Sequence, residues 1–252
     1  LTLEYADVID NISSSHGGGI WAKNGYSINI SLSTIDGNQA SGDGGGIRSS
    51  NSPLNIDDCF LTDNTAQGNG GGISIGNSAA TLIEANTFSG NSSQGFGGGL
   101  AVFNSTTEVE VDQCLFNNND AEKGGGIAWS GAVNGVITTS TLQFNTADQG
   151  AGLFLKTSEV TTDNLDITSC VAQLSGGGVE LRNSSIIEMK KSEIIDNEGG
   201  DFITGQGGGI YSNNSEVSLE NVLLQSNTSK TGLQIYLTNS EAKLSHVTSA
   251  FT

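Results

Sequence analysis

Apolar residues recur along this chain in short alternating runs, not at helical spacing. Leu54-Asn-Ile56 and Val109-Glu-Val111 place every second side chain on one face, the period of a half-buried β-strand. The runs are punctuated at fixed phases. A glycine-rich step followed by an aliphatic residue ends at Ile20, Ile47, Ile73, Leu100, Ile127, Leu153, Val179, Ile210 and Ile235, at intervals of about 26 residues. An apolar-x-x-Asn element precedes the steps and ends at Asn11, Asn38, Asn64, Asn91, Asn119, Asn145, Asn197 and Asn227, with Cys170 in that place in the seventh rung. Two residues later the side chain is always small, as at Ala40, Ala66 and Ser93. Four residues beyond most of the aliphatics comes another asparagine, usually followed by serine, as at Asn51, Asn104 and Asn183. That pair marks a turn.

One such unit, with about three short strands, cannot bury its own apolar face, whereas a stack of them can. The pattern predicts an all-β fold: a right-handed parallel β-helix of nine rungs of about 26–27 residues, the hand following from the general chirality of parallel crossovers. At the spacing of neighbouring strands the rod would be roughly 43 Å long. Residues 1–252 are expected to form a single β-helix segment of a longer chain. The apolar-x-x-Asn asparagines are expected to point inward and bond along the axis, because an amide both donates and accepts.

The repeat resembles that of chlamydial polymorphic membrane proteins, whose passenger domains carry F-x-x-N and G-G-A-[ILV]. Phe88-Ser-Gly-Asn91 and Phe116-Asn-Asn-Asn119 fit the first motif, while other rungs use Leu, Ile or Val in place of Phe. The second motif departs from the family pattern, reading Gly-Gly-Gly-Ile in most rungs and Gly-Ala-Gly-Leu at 150–153. Similar repeats occur in very large surface proteins of protists. The resemblance covers nearly the whole chain and implies a β-helix with an extracellular adhesive or structural role.

Charge narrows the partners. With 9 Lys plus Arg against 27 Asp plus Glu, the formal charge is −18, which repels nucleic acid. No apolar run is long enough to span a bilayer. Cys59, Cys114 and Cys170 fit no metal or redox motif and are expected to be buried free thiols; Cys59 and Cys114 share a phase but lie two rungs apart, too far to bridge. No cofactor or metal is indicated.

Parallel β-helices also host pectate lyases and polygalacturonases, so a carbohydrate-active enzyme is the alternative reading. Fold alone does not decide between them. His16 and His246 fall at opposite ends of the repeat, and Asp57 and Asp58, adjacent in a strand, are expected to point to opposite faces. The chain is therefore expected not to be an enzyme. Six acids at one phase, Glu4, Asp57, Glu84, Asp112, Asp163 and Glu220, are expected to form a solvated stripe. One residue past the aliphatic, Trp21, Phe154, Tyr211 and Tyr236 are expected to form an outward aromatic column able to stack on a sugar or a neighbouring subunit. Asp201 and Phe202, in a longer loop after Asn197, are further contact candidates. Among the N-x-[ST] sequons, Asn29, Asn104, Asn183 and Asn213 are expected to be the accessible glycosylation sites. The partners expected are neighbouring rungs or further copies, and a carbohydrate or surface receptor.

Overall fold

The computed structural model describes residues 1–77, 80–200 and 205–250. These residues form strands joined by turns and bends, with no helix among them and hence none that could cross a membrane. Every strand pairing among them is parallel and joins one rung to the next. Ile47, Ile73, Leu100 and Ile127, for example, lie side by side in consecutive strands. The chain is a parallel β-helix.

Three sheets run along its length. Sheet C has nine strands, from Ile20–Lys23 to Ile235–Thr238, and contains the aliphatic residue of each glycine step. Sheet B has eight short strands, from Ile12–Ser13 to Glu198–Gly199. Sheet A has eighteen, because most rungs contribute two strands such as Leu54–Asp57 and Phe60–Thr62. Gly135–Gln143 and Glu159–Thr168 run through the corner and join both halves into one sheet. A typical rung thus has four strands and not the three that the sequence suggested. In five of the eight rungs that carry it the extra one is only two residues long, as in Thr65–Ala66, too short to display an alternating pattern.

Corners are made by residues in the left-handed region. The turn asparagines Asn51, Asn104 and Asn183 have φ of 50°, 49° and 58°, a conformation asparagine tolerates better than most residues. Asp58, expected inside the strand and facing away from Asp57, is a correction. The strand ends at Asp57, Asp58 turns the corner at φ 48°, and both side chains face solvent.

Inside, side chains of like phase stack in columns. Phe88 and Phe116 lie parallel with ring centroids 4.4 Å apart. Volume is balanced across the core within a rung: Trp129 is fully buried, and a side chain at Gly135 would stand 3.1 Å from its indole and 2.9 Å from Val160. The glycine makes room for the tryptophan. Trp129 Nε1 makes no hydrogen bond within the described residues.

The asparagines form a ladder at the inner corner. Nδ2 of Asn38, Asn64, Asn91 and Asn119 donates to Oδ1 of the next asparagine at 2.9–3.0 Å. That same oxygen accepts the preceding asparagine's backbone N–H, at 3.0 Å for Asn38 on Asn64. The second Nδ2 hydrogen goes to a carbonyl of the rung before, as from Asn64 to Ile35 at 2.8 Å. Each of these amides is fully satisfied. Asn197 donates to Asn227, and Asn227 to Oε1 of Gln234, which replaces the last glycine of its step. Asn11 donates into the ladder but is itself exposed, against the burial expected of it.

Ser33, Cys59, Asn86, Cys114, Ser140 and Ser192 line a second inner corner, and Ser158, Ser185 and Ser215 a third. The serine and asparagine oxygens among them accept backbone N–H groups across rungs, as Asn86 does from Cys59 at 2.9 Å and Ser185 from Ser158 at 3.2 Å. The three cysteines are free and buried. Burial pushes the thiols of Cys114 and Cys170 up to about 12.

Candidate contact face

The outer face of sheet C holds most of the expected contact residues, and the glycine step positions it. The first glycine of each step bends the chain at positive φ, as Gly44 does at 72°. The third lies so close to the next rung that a β-carbon on Gly46 would stand 2.7 Å from the Gly72 carbonyl oxygen. Only glycine fits there. The strand that follows then alternates, with its first and third residues inward and its second outward.

Register aligns the outward positions in one column, in which Trp21 is followed by Arg48, Ser74, Ala101, Ala128, Phe154, Glu180, Tyr211 and Tyr236. The expected accessible aromatic column is corrected here. Trp21 is 44% exposed and Tyr236 half-buried, but Phe154 is 1% and Tyr211 6% exposed. Phe96, from the corner preceding the strand of Ala101, packs edge-on against both Phe103 and Phe154 with centroids 5.7 Å apart. The small Ala101 and Ala128 leave room for it and are themselves fully buried. Lys123 Nζ lies 5.3 Å from the Phe96 ring.

Beyond Phe154 the column holds Glu180, whose side chain has no exposure. Its carboxylate accepts from Ser175 Oγ at 2.7 Å and from Arg182 Nε. Burial pushes this carboxyl above the usual carboxylate range, against the opposing pull of the Arg182 guanidinium. Arg182 in turn lies over the Tyr211 ring at 5.1 Å, and Tyr211 stacks on Tyr236 at 5.7 Å. Tyr211 is therefore packed between neighbours, and only the far side of Tyr236 remains for a partner.

At the other end the Trp21 indole stands free enough to receive a ligand. Lys23 Nζ sits 4.6 Å from its ring centroid, and His16 tilts against it at 5.4 Å. His16 Nδ1 accepts the Asp43 backbone N–H at 2.9 Å, which fixes the imidazole beside the tryptophan. Asp43 also lies 3.8 Å from Arg48 Nε. Trp21, Lys23, Asn24 and Tyr26 line a depression of about 370 Å³. Aromatic surface, one cation and flanking hydrogen-bonding groups can together hold a polar ring.

The remaining candidates lie elsewhere. Asn29, Asn104 and Asn183 are exposed, while Asn213 is half-buried at the end of a sheet C strand. Asp201 and Phe202 fall outside the described residues. The acidic stripe runs along sheet A in register, with Asp57, Glu84 and Asp112 on consecutive rungs, exposed or half-exposed. Among the described residues no three His, Cys, Asp or Glu side chains converge as metal ligands. Sequence reasoning missed Phe96 and the Glu180–Arg182 pair. The second had a signal, since Glu180 is the one acid in an outward column otherwise aromatic, basic or small.

In comparison with known proteins, a family model described as a right-handed beta helix region matches residues 6–128 and 97–249. No curated protein and no solved structure matches the chain.

Proposed function

The chain belongs to the right-handed β-helix family, and from that premise we propose that it is a structural and adhesive solenoid of the cell surface or extracellular space, working through its extended outer faces. One observation carries the reading. The ladder asparagines, and the serines of the other inner corners, bond rung to rung along the axis, so the polar residues inside serve to make a rod. Such a rod presents its outward columns at fixed spacing. The Trp21 platform with Lys23 suits a carbohydrate of a surface receptor, and the exposed Asn29, Asn104 and Asn183 sequons suit glycosylation of the rod itself. The resemblance to repeats of bacterial and protist surface proteins supports the same location. Further copies, or further rungs of a longer chain, are the structural partners.

Binding of the chain to immobilised surface glycans tests this, with Trp21→Ala as the comparison. The expected result is retention of the wild type and at least about tenfold weaker binding of the variant, the range for removing an aromatic anchor. Equal binding by both would remove the platform from the reading. A carbohydrate-active enzyme is the second reading, favoured by one feature: a buried carboxyl, Glu180, held next to Ser175 and Arg182 on the outer face of sheet C. Perturbed carboxyls of that kind accompany general acid chemistry. Glu180 is nonetheless fully covered, so a substrate would have to displace Arg182 to reach it.

A further inference from the structure

The asparagine ladder that joins rung to rung fails at one boundary. From Asn11 to Asn145, each Nδ2 donates to the next Oδ1 at 2.9–3.0 Å. At the next step Asn145 Nδ2 meets Cys170 Sγ at 3.9 Å, and that thiol lies 3.6 Å from the Leu142 carbonyl oxygen. Sulfur is a weak acceptor and a thiol a weak donor. Beyond it the ladder resumes, since Cys170 N–H donates to Asn197 Oδ1 at 2.9 Å.

The second inner corner, where thiols already stand in the acceptor place at Cys59 and Cys114, has no acceptor at all in the same rung, as again at Val222. Cys114 N–H donates to Ser140 Oγ at 3.0 Å, but the residue facing Ser140 in the following rung is Leu165, whose side chain can accept nothing. Leu165 N–H then donates to Ser192 Oγ at 3.1 Å, so this ladder too resumes one rung later. Sheet B slips at the same place: Ala147 pairs with Ala172 but Gln149 with Ser175, and Leu174 within the slip is 49% exposed. Sheet A runs unbroken across the boundary, with Ser140–Gln143 paired to Leu165–Thr168. Backbone pairing, packing and one bond at the third corner, from Ala132 N–H to Ser158 Oγ at 3.2 Å, hold the two sides there, without the amide-to-amide bond that the asparagines make from Asn11 to Asn145.

We propose that the boundary between the rung of Asn145 and the rung of Cys170 is a discontinuity built into the rod, dividing it into two cooperative units that part there more readily than within either unit. A stack coupled only through neighbours opens first where the coupling between neighbours is weakest. The missing bonds at two corners and the slipped register all weaken the same interface. Parting there uncovers the Cys170 thiol, while Cys114, two rungs away inside the longer unit, stays covered.

Native-state alkylation with iodoacetamide, read by peptide mass spectrometry, measures this directly. The two thiols make a matched pair: both are buried, and burial pushes both up to about 12. A difference in labelling rate therefore reports opening and not intrinsic reactivity. Cys170 is expected to label at least about tenfold faster than Cys114, the ratio set by one or two missing buried hydrogen bonds. Cys170→Asn places an amide between Asn145, Leu142 and Asn197, and is expected to raise the melting midpoint and slow Cys114 labelling. Cys170→Ala keeps the gap and is expected to leave Cys114 labelling unslowed. Equal labelling of the two wild-type thiols overturns the proposal. So does a folded Cys170→Asn protein with an unchanged or lower midpoint, or equal slowing of Cys114 in both variants.

Discussion

An asparagine at the inner corner has two donors and one carbonyl oxygen, and here the neighbouring rungs supply partners for all three. That explains why the chain keeps asparagine where burial would favour an apolar side chain. Replacing Asn64 with leucine would leave the Asn38 amide and backbone N–H without their acceptor and Asn91 Oδ1 without its side-chain donor. Unsatisfied buried groups cost roughly 1–3 kcal/mol each, so Asn64→Leu is expected to lose about 3 kcal/mol or more in urea unfolding. Trp129 and Gly135 make a second residue-level test, because each fits only the other. Gly135→Val is expected to destabilise by about 1–3 kcal/mol through overpacking and to be better tolerated in a Trp129→Val background. Thermal midpoints of the two singles and the double give the coupling.

Glu180 adds a pH dependence with a definite sign. Its folded pKa is raised by burial, so the folded state holds this proton more tightly than the unfolded state does. Its contribution is most favourable below the unfolded value and is lost as pH rises through the raised folded value. Glu180→Gln is expected to flatten the fall in stability over that interval, above the ordinary carboxylate range. An unchanged slope of unfolding free energy against pH would show that Arg182 neutralises the carboxylate fully.

At the scale of elements, the repeat was open to sequence reasoning because it is periodic. Ile47, Ile73 and Leu100 announce sheet C, and the apolar residue three before each asparagine announces a strand of sheet A. The second and third corner ladders were harder to see, since Ser33, Cys59 and Asn86 share a role without sharing a residue type. Exposure on the outer face of sheet C was legible at Trp21 but not at Phe154 or Tyr211. Phe154 looks accessible from its phase, and what buries it is Phe96, from a corner two rungs earlier, reaching across two alanines. Phe154→Ala is therefore expected to cost about 3–5 kcal/mol of stability, as for a core aromatic. Trp21→Ala, half-exposed at the same phase, should stay within roughly 1 kcal/mol of wild type. Urea midpoints compare the two, and similar losses would mean that the outer face is packed along its whole length.

The whole molecule separates its chemistry by face. Sheet A carries the acidic stripe of Asp57, Glu84 and Asp112, and Lys190 and Lys243 are the only basic residues in its strands among the described residues. Sheet C strands carry Lys23, Arg48, Lys156 and Arg182 against a single, buried acid, Glu180. Within a chain of formal charge −18, sheet C is thus the face that meets an anionic or neutral surface with least repulsion. The central claim is that this rod holds its partner and leaves it chemically unchanged. The most direct test is to incubate the chain with the polysaccharides it retains and to analyse the products by mass spectrometry. The account predicts bound, intact chains with no new reducing or unsaturated ends; accumulation of such ends in proportion to the amount of protein would contradict it.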